Sequence, residues 1–304
     1  MKPWQIDLHI HLDGSISVES AQRLAAMQGI TLPRDLKKQL TVDPDCRDLN
    51  QYLEKFALPL SLLQTPQAME YAVSKLLAEL QEQGIKYAEI RFAPQLHGPM
   101  SQEDTILAAI RGLEQSDIPA VLILCCMRGA DSAQNEETVR LAQKYLGQGV
   151  AAVDLAGAEA LFPTADYESL FDLARSLYVP FTIHAGEADG PDSVRTAISF
   201  GAKRIGHGVR AMEDPELVSL IREKGITLEC CPTSNLQTRI FEYMEQFPIR
   251  KLLDQNIRFT INTDNMTVSG TTLQKEWDKL RQVFSLTEEE LDRIARYAQE
   301  AAFI

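Results

Sequence analysis

A chain of 304 residues is long enough for one large domain, and its content of 45% hydrophobic and 24% charged residues is typical of a globular protein, which excludes a disordered or fibrous one. The formal net charge of −13 repels phosphate backbones and anionic lipids, so we expect neither nucleic acid nor a membrane surface as a partner. The opening residues have no basic segment followed by an apolar run, and no apolar run approaches the roughly 18 residues of a membrane span.

Short apolar runs rich in β-forming residues alternate along the chain with longer segments of helical period. This alternation predicts parallel βαβ units of the α/β class, and eight such runs favour a single closed (β/α)₈ barrel, a TIM barrel, over an open doubly wound sheet. The first strand is followed by HLDGS rather than by a glycine-rich nucleotide loop, which also counts against the open sheet. The predicted strands are residues 5–11, 87–92, 120–126, 150–157, 181–186, 204–208, 227–232 and 257–264.

Helices are predicted between these strands and after the last one, at residues 66–83, 103–114, 136–146, 167–177, 193–200, 215–223 and 288–302. The region 31–65 is long for a connection between the first two strands, and we expect a helical insertion there that lies over the C-terminal face of the barrel as a lid. Its apolar stretch at 56–63 either caps a pocket or belongs to an ordinary helical core. No repeat or linker divides the chain, so we expect residues 1–304 to form one domain.

The cysteines do not resemble a disulfide framework, because their number is odd and four of them form two adjacent pairs inside apolar runs. Neighbouring side chains on a strand point to opposite faces of the sheet, so the pairs are also poorly suited to binding zinc. We expect small buried hydrophobic residues in a reduced, cytoplasmic protein. The five positions are Cys46, Cys125, Cys126, Cys230 and Cys231.

Four of the five histidines fall at the ends of predicted strands. His9 and His11 end the first strand, His184 ends the fifth and His207 ends the sixth, and only His97 lies outside the pattern. The C-terminal ends of the strands in a (β/α)₈ barrel converge on one active site. The sequence therefore predicts that these four imidazoles meet at one mouth of the barrel.

A divalent metal site is predicted from these positions. His9 and His11 are two residues apart, so both side chains point the same way and can bind one ion. His184 adds a third nitrogen, and Asp264, at the end of the last strand, supplies an oxygen; three imidazoles and one carboxylate suit zinc with a position left for water. Glu187 follows His184 by three residues, where its carboxyl group can exchange a proton with a substrate without binding the metal.

The chain resembles the adenosine deaminase family of zinc hydrolases, and the matching motifs extend from the first strand to the last. They are HIHLDGS at 9–15, DLAGAE at 154–159, HAGE at 184–187, GHG at 206–208 and NTDN at 262–265. The resemblance implies a metal-dependent hydrolase barrel with one Zn²⁺ per chain, bound by His9, His11, His184 and Asp264. It also implies a small-molecule substrate, adenosine and 2′-deoxyadenosine, whose 6-amino group is released as ammonia in purine salvage.

Further residue roles follow from the same resemblance. Glu187 corresponds to the proton donor to purine N1, and His207 to the group that orients the zinc-bound water. Asp13 corresponds to the contact with the ribose 5′-hydroxyl, and Gly157 to the backbone contact with purine N3. The family's second acid after the last strand is replaced here by Asn265, whose amide donates a hydrogen bond to purine N7 at any ordinary pH.

Two other interpretations stay open from the sequence. In the first, the chain is a deaminase of a related aminopurine, such as adenine or methylthioadenosine. In the second, it is an inactive relative that acts as a binding protein. A carboxylate at Asp13 favours a nucleoside with a free 5′-hydroxyl and repels a 5′-phosphate. A two-metal site is not expected, because the fourth strand ends in DLAG and has no lysine that could bridge a second ion.

Overall fold

The computed structural model describes Lys2 and residues 5–304, and in this part of the chain eight strands alternate with helices. The strands are shorter than predicted at several ends but occur at all eight predicted places. Their bounds are β1 Ile6–His11, β2 Tyr87–Phe92, β3 Ala120–Met127, β4 Val150–Ala156, β5 Thr182–Ala185, β6 Arg204–His207, β7 Thr227–Cys230 and β8 Arg258–Ile261.

All pairings between neighbouring strands are parallel, in the order β1-β2-β3-β4 and β5-β6-β7-β8. Two parallel bridges join these halves into a ring, Val153 with Phe181 on one side and Ile10 with Asp264 on the other. On the second side, the His11 backbone N–H donates to the Asp264 carbonyl at 2.7 Å. The predicted (β/α)₈ barrel is confirmed, and its closing seam runs through two of the predicted metal ligands.

The helices surround the barrel, and the longer ones bury apolar side chains in one core with the strands. Their bounds are α1 Val18–Gln28, α2 Leu36–Leu40, α3 Leu49–Leu53, α4 Ala57–Leu62, α5 Pro66–Glu82, α6 Gln102–Leu113, α7 Ser132–Lys144, α8 Glu168–Ser176, α9 Pro191–Ser199, α10 Pro215–Lys224, α11 Pro232–Gln237, α12 Ile249–Asp254, α13 Met266–Ser269, α14 Leu273–Phe284 and α15 Glu288–Ala301. No helix among the described residues is both long enough and apolar enough to cross a membrane.

Helix-capping side chains explain where several helices begin. Thr65 caps α5 by accepting a hydrogen bond from the Ala68 N–H, and Pro66 follows at the first helical position, as the sequence indicates. The prediction for α7 was wrong by four residues at its start, because the Asp131 side chain accepts from the Ala133 N–H and the helix begins at Ser132. An apolar period alone does not reveal a polar first turn of this kind.

The region 31–65 contains the three short helices α2, α3 and α4. Part of it packs against the segment after β8 in a small apolar cluster that includes Tyr52 and Val268. The Tyr52 hydroxyl lies 2.7 Å from Ser269 Oγ, at the end of α13. The insertion is therefore attached to the segment that follows Asp264 and Asn265. All five cysteines are free and buried, as predicted.

Candidate active site

Four histidine side chains lie together at the C-terminal end of the barrel strands. The ring centroid of His9 lies 5.3 Å from that of His11 and 4.6 Å from that of His184. It lies 5.1 Å from the ring centroid of His207. The fifth histidine, His97, is buried elsewhere, with Nδ1 2.8 Å from a backbone carbonyl oxygen. The predicted grouping of the histidines is thus what the structure shows.

The four predicted metal ligands bring one donor atom each to a common point. Asp264 Oδ1 lies 3.5 Å from His9 Nε2 and 3.4 Å from His11 Nε2, and His11 Nε2 lies 3.3 Å from His184 Nε2. Donors placed about 2.1 Å from one ion in a tetrahedron are about 3.4 Å apart, so these spacings fit a zinc-sized ion. His9 Nε2 is also buried without a hydrogen-bond partner. The residues therefore fit the metal that the sequence predicts.

A second, overlapping group of possible ligands replaces His11 and His184 by His207 and Cys231. Burial raises the pKa of the Cys231 thiol well above its usual range, which disfavours the thiolate that a metal needs. Asn235 Nδ2 lies 2.9 Å from His207 Nδ1, and an amide N–H that donates to Nδ1 leaves the proton of the neutral ring on Nε2. A protonated Nε2 is a hydrogen-bond donor rather than a metal ligand, so the geometry favours the predicted group.

Two buried carboxylates hold the metal-site imidazoles from behind. Glu229 Oε2 lies 2.7 Å from His9 Nδ1, and Asp154 Oδ2 lies 2.9 Å from His184 Nδ1. Carboxylates in this position fix the ring orientation and direct Nε2 towards the metal. The guanidinium of Arg91 contacts both carboxylates at 2.9 Å, and none of these side chains except that of His184 is measurably exposed. Neither Arg91 nor Glu229 was predicted from the sequence as part of this support.

The backbone turns sharply where the site residues leave their strands. His207 and Asp264 have φ angles of 58° and 59°, in the left-handed region that residues other than glycine seldom adopt. The predicted eighth strand at 257–264 is regular only from Arg258 to Ile261, and Asp264 then pairs with β1 through a single bridge to Ile10. Strained backbone of this kind is concentrated at functional sites.

Glu187 lies on the loop after β5 and is buried, with Oε2 3.4 Å from His207 Nε2. Burial raises the pKa of Glu187 well above its usual range, and the negative charges of Asp264 and Glu159 raise it further. For Asp264, the surrounding histidines outweigh burial and hold the pKa below its usual range. The site therefore places a carboxyl group with a raised pKa beside one with a lowered pKa, which is the arrangement expected of an acid next to a metal ligand.

A cavity of about 250 Å³ opens onto the proposed metal site, and the predicted substrate contacts Asp13, Gly157 and Asn265 lie on its wall. Burial raises the pKa of Asp13 to about 6. Asn265 Oδ1 packs against Gly14 so closely that a Cβ atom there would lie 1.8 Å from it. Much of the remaining wall is apolar, including Leu49, Leu53, Phe56, Phe92, Leu96 and Met127.

Known proteins are similar to this chain over nearly its whole length. The family model described as adenosine deaminase matches residues 4–304. Adenosine deaminase from Haemophilus ducreyi is 48% identical, covering 98% of this chain and 91% of that protein, and adenosine deaminase from Enterococcus faecalis is 38% identical, covering 99% and 92%.

Solved structures share the fold at lower identity. Adenine deaminase from Arthrobacter aurescens has a TM-score of 0.89 at 23% identity, covering 100% of this chain and 94% of that one. An amidohydrolase from Burkholderia ambifaria with bound Zn has a TM-score of 0.88 at 20% identity, covering 99% and 85%.

Proposed function

The chain belongs to the adenosine deaminase family, and we propose that it removes the 6-amino group of adenosine by zinc-dependent hydrolysis, with inosine and ammonia as products. One observation carries the proposal: four potential metal-donor atoms meet at one point, and three of their residues, His11, His184 and Asp264, line the same cavity as the buried carboxyl group of Glu187. His9, His11, His184 and Asp264 would hold the zinc ion.

When bound by these four residues, zinc would supply hydroxide at neutral pH, because it lowers the pKa of water from 15.7 to about 7. The protein provides the rest. Glu229 and Asp154 orient two of the imidazoles, and the Nε2–H of His207 points to the space between Glu187 and Asp264. We assign His207 to orienting the attacking water.

Glu187 donates the proton that the purine ring needs. A neutral carboxyl group can protonate N1 as C6 is attacked, so that negative charge does not accumulate on the ring. Burial raises the pKa of Glu187, which favours the protonated form that this step needs. Proton transfer of this kind contributes about 10²–10⁴ to the rate.

The remaining wall residues orient the nucleoside. Asp13 accepts from the 5′-hydroxyl, the backbone at Gly157 contacts N3, and Asn265 donates to N7. Gly157 has a φ of 108°, which suits glycine, and its lack of a side chain leaves room for the purine to approach the backbone. The apolar side chains of the cavity wall cover the faces of the base.

We further propose that residues 31–65 form a lid over this cavity. The apolar side chains of Leu49, Leu53 and Phe56, all from that region, line it. The five free, buried cysteines support the prediction of a reduced, cytoplasmic enzyme.

The substrate range can be tested by ammonia release from adenosine, 2′-deoxyadenosine, adenine and methylthioadenosine, each with and without a chelator. We expect turnover of the first two nucleosides and its loss with the chelator. Adenine deaminase from Arthrobacter aurescens shares only the fold at 23% identity, and a carboxylate at Asp13 has no partner in a free base. Faster turnover of adenine or methylthioadenosine would overturn the substrate assignment.

The role of Glu187 is tested by Glu187→Gln, which keeps the shape of the side chain and removes the acid. We expect zinc content to stay at one ion per chain while kcat falls by about 10²–10⁴. Glu136→Gln, on the exposed face of α7, is the matched control and should leave kcat unchanged. Near wild-type turnover by Glu187→Gln would show that the proton comes from another group.

A further inference from the structure

Glu159 is a buried carboxylate near the candidate site that the proposed chemistry does not use. It follows β4 in the same loop as Gly157 and is 1% exposed. Its main hydrogen-bond donors are backbone N–H groups of the loop that carries Glu187. This loop, residues 186–190, connects β5 to α9.

Glu159 accepts from four of the five backbone N–H groups of that loop; the fifth, that of Gly190, donates to Asp189 Oδ1. Oε1 accepts from the Gly186 N–H at 2.7 Å and from Ser193 Oγ at 2.5 Å. Oε2 accepts from the N–H groups of Glu187 at 3.0 Å, Ala188 at 2.7 Å and Asp189 at 3.1 Å. Five donors therefore converge on one carboxylate, and four of them are consecutive backbone amides.

We propose that Glu159 is the positioning residue for the acid, and that it ties the loop presenting Glu187 to the loop presenting Gly157. This inference rests on the proposed role of Glu187. Hydrogen bonds to an ionised acceptor are short and strong, and buried N–H groups that lose their acceptor are costly. The carboxylate thus holds the loop backbone in one conformation, including the positive φ of 70° at Gly186.

The consequence is geometric. A proton donor must lie about 2.6–3.2 Å from the atom that it protonates, and a displacement of about 1 Å can cost about 10² in rate. A loop without its acceptor would move Glu187 relative to the ring nitrogen. It would not move the donor atoms of the metal site on β1, because those are held by the barrel interior.

Glu159→Gln is the first variant, because the amide has the same shape but only one acceptor oxygen. Its NH₂ group must face either the Gly186 N–H or the three N–H groups on the other side. We expect kcat to fall by about 10², with zinc content at one ion per chain and the inhibition constant of inosine within about threefold of wild type. Glu276→Gln is the control, because Glu276 is also a buried acceptor of a backbone N–H, from Thr233 at 2.9 Å, and its replacement should keep kcat within about threefold.

The decisive measurement combines the variants at 159 and 187. If Glu159 acts through Glu187, Glu159→Gln should cost less than about threefold in kcat when Glu187→Gln is already present. The same fold-loss in both backgrounds, or an unchanged kcat in Glu159→Gln alone, would overturn the inference. Near wild-type turnover by Glu187→Gln alone would instead overturn the proposed acid. If Glu159→Gln does not fold, Glu159→Asp replaces it, because aspartate keeps the charge and is one methylene shorter. It is combined with Glu187→Gln in the same double-mutant cycle, and the same pattern of kcat losses is expected.

Discussion

Arg91 provides a direct test of the charge network beneath the candidate metal site. Its guanidinium donates to Asp154 Oδ2 and Glu229 Oε2, both at 2.9 Å, and to the Leu8 carbonyl at 2.7 Å. Methionine fills much of the same space with an apolar side chain, but it leaves the two buried carboxylates without their guanidinium partner. Breaking a buried ion pair in this way costs about 3–5 kcal/mol of unfolding free energy.

The structure favours the lower end of that range. Glu229 keeps Arg204, whose Nε lies 2.7 Å from Oε1, and Asp154 keeps the Leu155 N–H at 2.7 Å. We therefore expect Arg91→Met to lose about 3 kcal/mol. Loss of the shared anchor behind two metal-site imidazoles should also weaken zinc binding by about 10–100-fold.

The assay is urea unfolding in the presence of a chelator, so that loss of metal does not contribute to the difference. Arg111→Met is the matched control, because Arg111 Nε also lies 2.9 Å from a glutamate oxygen, on Glu70, but the two side chains are 46% and 31% exposed. We expect it to lose no more than about 1 kcal/mol. Equal losses in the two variants would refute the argument that burial, rather than contact distance, sets the cost.

Three further outcomes are expected. Gly14→Ala should displace Asn265 and lower kcat/KM for adenosine by at least about tenfold. Gly98→Ala is the control, because open space surrounds its Cβ position, and it should leave kcat/KM unchanged. Equal kcat/KM values in the two variants would contradict the packing argument. Asn265→Asp should lose activity as pH rises through the pKa of the new carboxyl group, because only its protonated form donates, and an unchanged pH–rate profile would oppose this. The cysteines should resist thiol reagents until urea unfolds the chain, because burial raises the pKa of each thiol.

The barrel and the grouping of its histidines could be predicted because both depend on local patterns. Short apolar runs identify strands, and the parallel topology brings the C-terminal ends of distant strands to one edge. His9 and His184 are 175 positions apart in sequence, yet each needed only its place at a strand end to be assigned to the same mouth. The starts of helices were harder to predict. The start of α7, for example, depends on a single hydrogen bond to the side chain of Asp131.

The support of the site could not be predicted for a different reason. Glu229 is the one charged residue of β7, and Arg91 is one of two in β2; both strands are buried throughout, and the two residues are separated by 138 positions along the chain. A charged residue in such a strand indicates a buried partner, since an unpaired charge is too costly, but it does not say which residue that partner is. The choice is made by the barrel, whose strands bring one guanidinium within reach of two acids and each acid within reach of one imidazole. Local pattern therefore predicts which residues face the ion, whereas the residues that hold them in place are determined by pairing across the interior.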